Sequence, residues 1–345
     1  MRRILGLACL LALLTGPAAL AASPPQALEA AAARGWADEQ IRAVVAKGAL
    51  APSVATFRPE DAITRSELHD ALTALGLPSS PPSDPGRLVT IRELDARLVA
   101  SVGLLGSART IRLSARDAGL QPPDLLGTET IARLLGLRIN HPQGSEHLEL
   151  LPRQPATRAE TAYSLAKALE LTDARKADVA RSAAGFTLPA LAESQRAVLA
   201  RATRFVGYPY VWAGTSERPQ LLYYGAAPGG FDCSGLVWRV YKLEAFAGLP
   251  LVADTLRGRT TFAMSGEVSK ADRIALDSLQ PGDLVFFGAR GTRSVPEEVN
   301  HMGIYAGNGW FVHSSGNGVT LQPMQGWYLQ RFAWGRRPLE EAGLA

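Results

Sequence analysis

The sequence predicts an α+β protein with a mainly helical first half and a mixed second half built around a small sheet. Three observations carry this. Residues 25–175 are rich in Ala and Leu, hold one tryptophan, Trp36, and repeat one helix-start pattern three times. From about residue 200 onward Gly, Trp, Tyr and Phe become frequent, and apolar runs alternate as they do in strands. A length of 345 residues with 47% hydrophobic content suits two packed domains.

At the start of the chain, Arg2 and Arg3 precede the apolar run Ile4 to Leu14, and Thr15-Gly16-Pro17 breaks it. Ala19-Leu20-Ala21 then offers small residues to a signal peptidase. Residues 1–21 read as a secretory signal, because the run falls short of the roughly 20 residues a membrane span needs. No cysteine follows the run at the cleavage site, which argues against lipid attachment, and no later stretch is suited to cross a bilayer. The formal charge is +4. Removing Arg2 and Arg3 leaves 34 basic against 32 acidic side chains, or +2, which gives no support to nucleic-acid binding.

In the helical half, Ile63-Thr64-Arg65-Ser66-Glu67 precedes the helical pattern Leu68, Ala71, Leu72, Leu75. Val89-Thr90-Ile91-Arg92-Glu93 precedes Leu94, Leu98 and Val102. Ala156-Thr157-Arg158-Ala159-Glu160 precedes Ala162, Leu165, Ala166 and Leu169. Each contains Thr-x-x-Glu, the capping box, in which the threonine oxygen accepts from the N3 amide and the glutamate reaches back to the cap amide. One such box is common; three, each opening an apolar helix, predict a repeated unit over 25–175. Residues 176–194, charged and then small, read as a linker or a helix end.

In the second half, Leu191 to Val206 reads as a helix, followed by Gly207-Tyr208-Pro209-Tyr210-Val211-Trp212-Ala213-Gly214. Phe231-Asp232-Cys233-Ser234-Gly235 opens another helix, with Leu236, Val237, Val240 and Tyr241 at helical spacing. Cys9 falls in the expected signal, so Cys233 is the single thiol expected in the mature chain and has no disulfide partner. A helix start favours an anion, so a lowered thiol pKa is expected there. The plainer alternative is a buried structural cysteine. Leu279-Gln280-Pro281-Gly282-Asp283-Leu284-Val285-Phe286-Phe287 reads as a turn feeding a strand. Asn300-His301-Met302-Gly303-Ile304-Tyr305-Ala306 reads as a second strand, Gly307-Asn308-Gly309 as a hairpin turn, and Trp310-Phe311-Val312-His313 as the returning strand. Both histidines then reach one region of sheet. His301 is the candidate base for the Cys233 thiol, and His313 the candidate partner that fixes its tautomer. No metal site is expected, since no Cys-x-x-Cys or His-x-x-x-His pair accompanies these residues, and no cofactor is expected.

The three helix-start units resemble the S-layer homology repeat, best at Phe57-Arg58-Pro59-Glu60-Asp61-Ala62-Ile63-Thr64-Arg65-Ser66-Glu67, with Trp36 and Ile41 fitting the upstream helix. The third unit lacks the aromatic-x-Pro opening, and the second has lost most of its first helix. The resemblance implies non-covalent attachment to a cell-wall polymer, with Arg65 and Arg158 as candidate ligands for anionic sugar; a spacer or shield is the alternative. Over residues 195–338, Tyr-x-Trp-x-Gly, Phe-Asp-Cys-Ser-Gly-Leu-Val, Pro-Gly-Asp-Leu-Val-Phe-Phe and His-x-Gly-Ile-Tyr followed by Phe-Val-His resemble the NlpC/P60 cell-wall cysteine peptidases, in that order. The resemblance implies a papain-like domain over 195–340, with Cys233 as nucleophile, His301 as base and His313 as orienting residue. It also implies Tyr210, Asp232 and Ser234 as residues holding a peptidoglycan stem peptide, cut after γ-linked D-glutamate. The expected location is secreted, in the cell wall or periplasm. Three departures stand out: Ala213 where glycine is usual, a long loop from Thr215 to Gly230 with Leu221-Leu222-Tyr223-Tyr224, and no arginine at Leu249-Pro250-Leu251. Arg259-Thr260-Thr261 is the candidate replacement for the last. The alternatives are a wall-binding protein with a silent papain-like domain, or an amidase acting on another γ-glutamyl or acyl amide.

Overall fold

The computed structural model describes residues 35–242 and 252–344. The expected signal at 1–21, Cys9 and the Leu249-Pro250-Leu251 segment lie outside the described residues. The helical half runs α1 (Asp38–Val45), α2 (Arg65–Ala74), α3 (Ile91–Ser101), α4 (Leu105–Asp117), α5 (Leu126–Leu135), α6 (Arg158–Glu170), α7 (Asp173–Ala184) and α8 (Glu193–Thr203).

The three expected Thr-x-x-Glu starts open α2, α3 and α6, and they use their side chains differently. At α2 the box closes both ways: Thr64 Oγ1 accepts from the Glu67 amide at 3.3 Å, and Glu67 Oε2 accepts from the Thr64 amide at 2.8 Å. At α6 Thr157 caps the Glu160 amide at 3.2 Å, while the Glu160 carboxylate turns to His141 at 3.1 Å. At α3 Thr90 makes no side-chain cap, and Glu93 is drawn to Arg65 at 2.7 Å. In two of the three, a partner distant in sequence has drawn the glutamate away from its reach-back bond.

The residue before each threonine ties the units together. The Ile63 amide donates to Ala156 O (3.0 Å), the Ala156 amide to Val89 O (2.8 Å), and the Val89 amide to Ile63 O (2.9 Å), closing a ring. All three residues are fully buried. Each helix start is then satisfied by a neighbouring approach segment: Arg65 by Arg87 O, Ile91 by Gln154 O and Arg158 by Asp61 O. Amides that a helix leaves orphaned are thus paired between units. The two arginines expected to face anionic sugar are engaged inside this arrangement. Arg158 is buried, donating to Phe57 O at 2.7 Å, to Glu67 Oε1 at 3.0 Å and to Leu50 O. Arg65 is held by Glu93.

The second half adds two small hairpins, β1 (Thr215–Ser216) with β4 (Gly230–Phe231) and β2 (Gln220–Leu222) with β3 (Gly225–Ala227). Next come α9 (Cys233–Tyr241), α10 (Val252–Thr255) and α11 (Thr261–Gly266). The main sheet is formed by β5 (Leu284–Gly288), β6 (Val299–Gly307), β7 (Trp310–Ser315), β8 (Gly318–Pro323) and β9 (Phe332–Arg336), with α12 (Trp327–Arg331) before β9 and α13 (Pro338–Glu341) after it. Its order is β8-β7-β6-β5-β9, all antiparallel. The β6–β7 turn is the expected one: Asn308 and Gly309 take φ of 48° and 77°, the left-handed pair a tight hairpin requires. Every residue of β5 is buried, and Val285, Phe287, Tyr305, Phe311, Met324 and Phe332 form a core cluster.

The described residues from 37 onward form one compact unit. The stretch expected as a linker, 176–194, contains most of α7, with Val179 and Ala183 buried, and the start of α8. Its alternation of charged and small residues is the amphipathic surface of a packed helix. Where the halves meet, Arg133 of α5, 1% exposed, donates to Gly207 O at 2.7 Å. Around it Asp95, Glu129, Arg138, His141, Glu149 and Glu160 are all 4% exposed or less. Burial pushes the carboxyls of Asp95 and Glu129 up, and that of Glu149 to about 7.

Candidate active site

Cys233 is the first residue of α9, and Asp232 is its N-cap, accepting from the Gly235 amide at 2.5 Å. Two glycines make this start possible. A Cβ on Gly235 would lie 1.9 Å from Gly214 O, and one on Gly214 would lie 2.6 Å from Gly230 O. The Asp232 amide donates to Gly214 O at 3.1 Å, so the Tyr-x-Trp-x-Gly and Asp-Cys-Ser-Gly segments meet backbone to backbone.

The sulfur is buried, 3.3 Å from Thr261 Oγ1, and receives the backbone amides of Met302 and Ser234. Met302 follows His301 on β6, which brings that histidine's segment to the thiol. His301 Nε2 and His313 Nδ1 are 2.8 Å apart, joining adjacent strands. His313 is completely buried, stacked on Phe311 at 4.4 Å between ring centres, with Tyr328 at 5.0 Å. Gly303 makes room for it: a Cβ there would meet His313 Cβ at 2.9 Å and Phe311 Cδ2 at 2.7 Å.

The electrostatics run against one sequence expectation. The helix start was expected to lower the thiol pKa, yet the thiol is pushed up to about 11, by burial first and the Asp232 charge second. The hydrogen bonds from Thr261, Met302 and Ser234 act the other way and are outweighed. Burial also pushes His301 down to about 4 and His313 well below its ordinary value. Both shifts favour the neutral thiol and the neutral imidazole, the form of the ring able to accept a proton.

Tyr210, Asp232 and Ser234 lie together beside the thiol. Burial, then the nearby Cys233 and Asp232, raise the Tyr210 phenol. Ser234 is 5% exposed; its hydroxyl donates to Asp232 Oδ1 at 2.9 Å and accepts from Arg259 Nη1 at 2.7 Å. Arg259 also reaches Asp232 Oδ2 at 3.4 Å and Ala213 O at 3.2 Å. Ser234 is thus committed to holding Asp232 and Arg259.

Sequence reasoning singled out the Arg259-Thr260-Thr261 segment without its contacts and missed two residues. Gly303 had a signal in its place between two strand histidines. Asn140, from the helical half, had none: its Oδ1 accepts from the Tyr210 amide at 2.5 Å and its Nδ2 donates to Tyr210 O at 3.0 Å, fixing that segment as a neighbouring strand would. Among the described residues no three His, Cys, Asp or Glu side chains group as a metal site, and no helix is long and apolar enough to cross a membrane.

Residues 207–337 match the model of the NlpC/P60 family. The chain is 37% identical over 126 residues to a probable endopeptidase of Mycobacterium tuberculosis, covering 36% of this chain and 25% of that one. It is 31% identical over 140 residues to the murein DD-endopeptidase MepH of Escherichia coli (38% and 43%). It is 29% identical over 119 residues to a gamma-D-glutamyl-L-lysine dipeptidyl-peptidase of Bacillus subtilis (34% and 31%). Its matched part thus spans less than half the length of these relatives. Among solved structures, the NlpC/p60 domain of the peptidoglycan hydrolase SagA is 26% identical, covering 41% of this chain and 97% of that one, with a TM-score of 0.30. Residues 207–337 are an NlpC/P60 family domain, carried behind a helical half that the family match does not reach.

Proposed function

We propose that the protein is an exported cysteine peptidase that hydrolyses peptidoglycan stem peptides between γ-D-glutamate and the diamino acid. The observation that carries this reading is the 2.8 Å His301–His313 bond beside a thiol at a capped helix start. His301, neutral at neutral pH, takes the Cys233 proton as the sulfur attacks the γ-carbonyl carbon. The Cys233 backbone amide, in the first turn of α9, is the oxyanion donor. The imidazolium returns its proton to the departing amine as the C–N bond breaks, leaving a thioester. Water, deprotonated by His301, attacks the thioester and releases the acid and the thiol. His313 holds the ring through both transfers. Tyr210 and Asp232 line the side on which the stem peptide enters, and Arg259 holds Asp232 in place.

The bond assignment draws on the dipeptidyl-peptidase relative, while the murein DD-endopeptidase acts on a different linkage by its name. Mass spectrometry of purified peptidoglycan after digestion separates them. Fragments ending in γ-D-glutamate are expected; fragments ending only in D-alanine would overturn the bond assignment and leave the peptidase reading. The helical half is the proposed wall-retaining part, supported by its ring of three repeated helix starts.

A further inference from the structure

A cavity of about 570 Å³ lies between the helical half and the family domain, lined by Arg92, Arg153, Arg204 and Arg218 together with Glu129 and Glu217. Its arginines come from four segments: the first turn of α3, the approach to α6, the end of α8 and the β1–β2 connection. Arg92 occupies the position that Ser66 and Ala159 take in the other two units, so its charge is an addition specific to the unit facing the cavity. Arg92, Arg153 and Arg218 form no ion pair among the described residues.

Glu217 offsets Arg204, whose charge, after that of Arg239, lowers its carboxyl, which leaves Arg92, Arg153 and Arg218 as the cations on which the site rests. Glu217 is taken by Arg239 through two 2.8 Å bonds. Glu129 is buried, and burial followed by the nearby Asp95 raises its carboxyl. Four arginines against two glutamates leave the lining net positive, in a concave site large enough for a ligand of several rings or linked phosphates. Guanidinium groups recognise planar or tetrahedral oxyanions through paired N–H donors. Arg65 and Arg158, the arginines at the repeated helix starts, are already engaged by Glu93 and Glu67.

We propose that this cavity binds an oxyanion-bearing polymer segment, phosphate or carboxylate, held between the two halves of the chain. The site is separate from the hydrolytic reading and needs no turnover at Cys233. Fluorescence anisotropy on the full chain tests it with two labelled probes, a poly(glycerol phosphate) oligomer and an oligogalacturonate. R153Q/R218Q removes two exposed cations, and R42Q/R116Q makes the same charge change at exposed positions away from the cavity. At least one probe is expected to bind, about tenfold or more weaker to R153Q/R218Q and within about twofold of wild type for R42Q/R116Q. Preference for the phosphodiester or the uronate identifies the source. R92Q probes the opposite wall and should weaken the same probe. Absence of binding by both probes, or equal weakening by the two double variants, overturns the site.

Discussion

Alkylation of Cys233 by iodoacetamide should be slow at neutral pH and climb with pH without levelling off below about pH 10. The thiol is pushed up to about 11 from an ordinary 9.0, by burial first and by Asp232 second. At pH 7 that leaves roughly one thiolate in 10⁴, about 100-fold less than an unperturbed thiol. Alkylation should be slower by at least that factor than for an exposed cysteine. An acid limb of activity near pH 4 does not separate the models, because both a preformed ion pair and a neutral pair with His301 at about 4 produce one. The alkaline side separates them. A neutral pair keeps its base and its proton until the thiol ionises near 11, whereas an ion pair loses its imidazolium well below that. The assay is the alkylation rate between about pH 5 and pH 10, followed by intact mass, beside kcat/KM for a soluble γ-glutamyl peptide. A pH-independent alkylation plateau from about 5 to 8 would instead show a preformed thiolate–imidazolium pair.

Three further outcomes follow from the packing. Gly303→Ala pushes a methyl into His313 and Phe311; about 1–3 kcal/mol of stability should be lost in denaturant unfolding, with hydrolysis falling more than the residual folded fraction explains. Asn140→Ala removes both bonds to the Tyr210 backbone; roughly 1–3 kcal/mol is expected in unfolding and KM should rise more than kcat falls, while unchanged KM would detach the helical half from substrate binding. Glu149 has a raised folded pKa of about 7, so its contribution is present below about 4.5 and lost as pH rises through 7; Glu149→Gln should flatten that loss when unfolding is compared at pH 5 and pH 7.5.

What the sequence made legible was local. The Asn308-Gly309 turn implied the β6–β7 hairpin, and with it the proximity of His301 and His313. The Phe231-Asp232-Cys233-Ser234-Gly235 opening and the apolar spacing after it implied α9, and Asp232 proved to be its cap. The three Thr-x-x-Glu segments implied repeated helix starts, while the fate of each glutamate depended on partners such as Arg65 and His141 that are distant in sequence. Asn140 lies 70 residues from Tyr210, and nothing near either residue signals their pairing. The thiol shift went opposite to the helix-start argument because desolvation depends on how closely β6 and α11 cover the sulfur, and spacing alone does not encode that.

Everything proposed for the reaction rests on Cys233 as the nucleophile of a peptidoglycan peptidase. Digestion of purified peptidoglycan by the wild-type chain and by Cys233→Ala, at matched folded concentration and read by mass spectrometry, tests it most directly. The wild type should release stem-peptide fragments and Cys233→Ala should release none above the uncatalysed background. Clear turnover by Cys233→Ala, or none by a folded wild type, would contradict it.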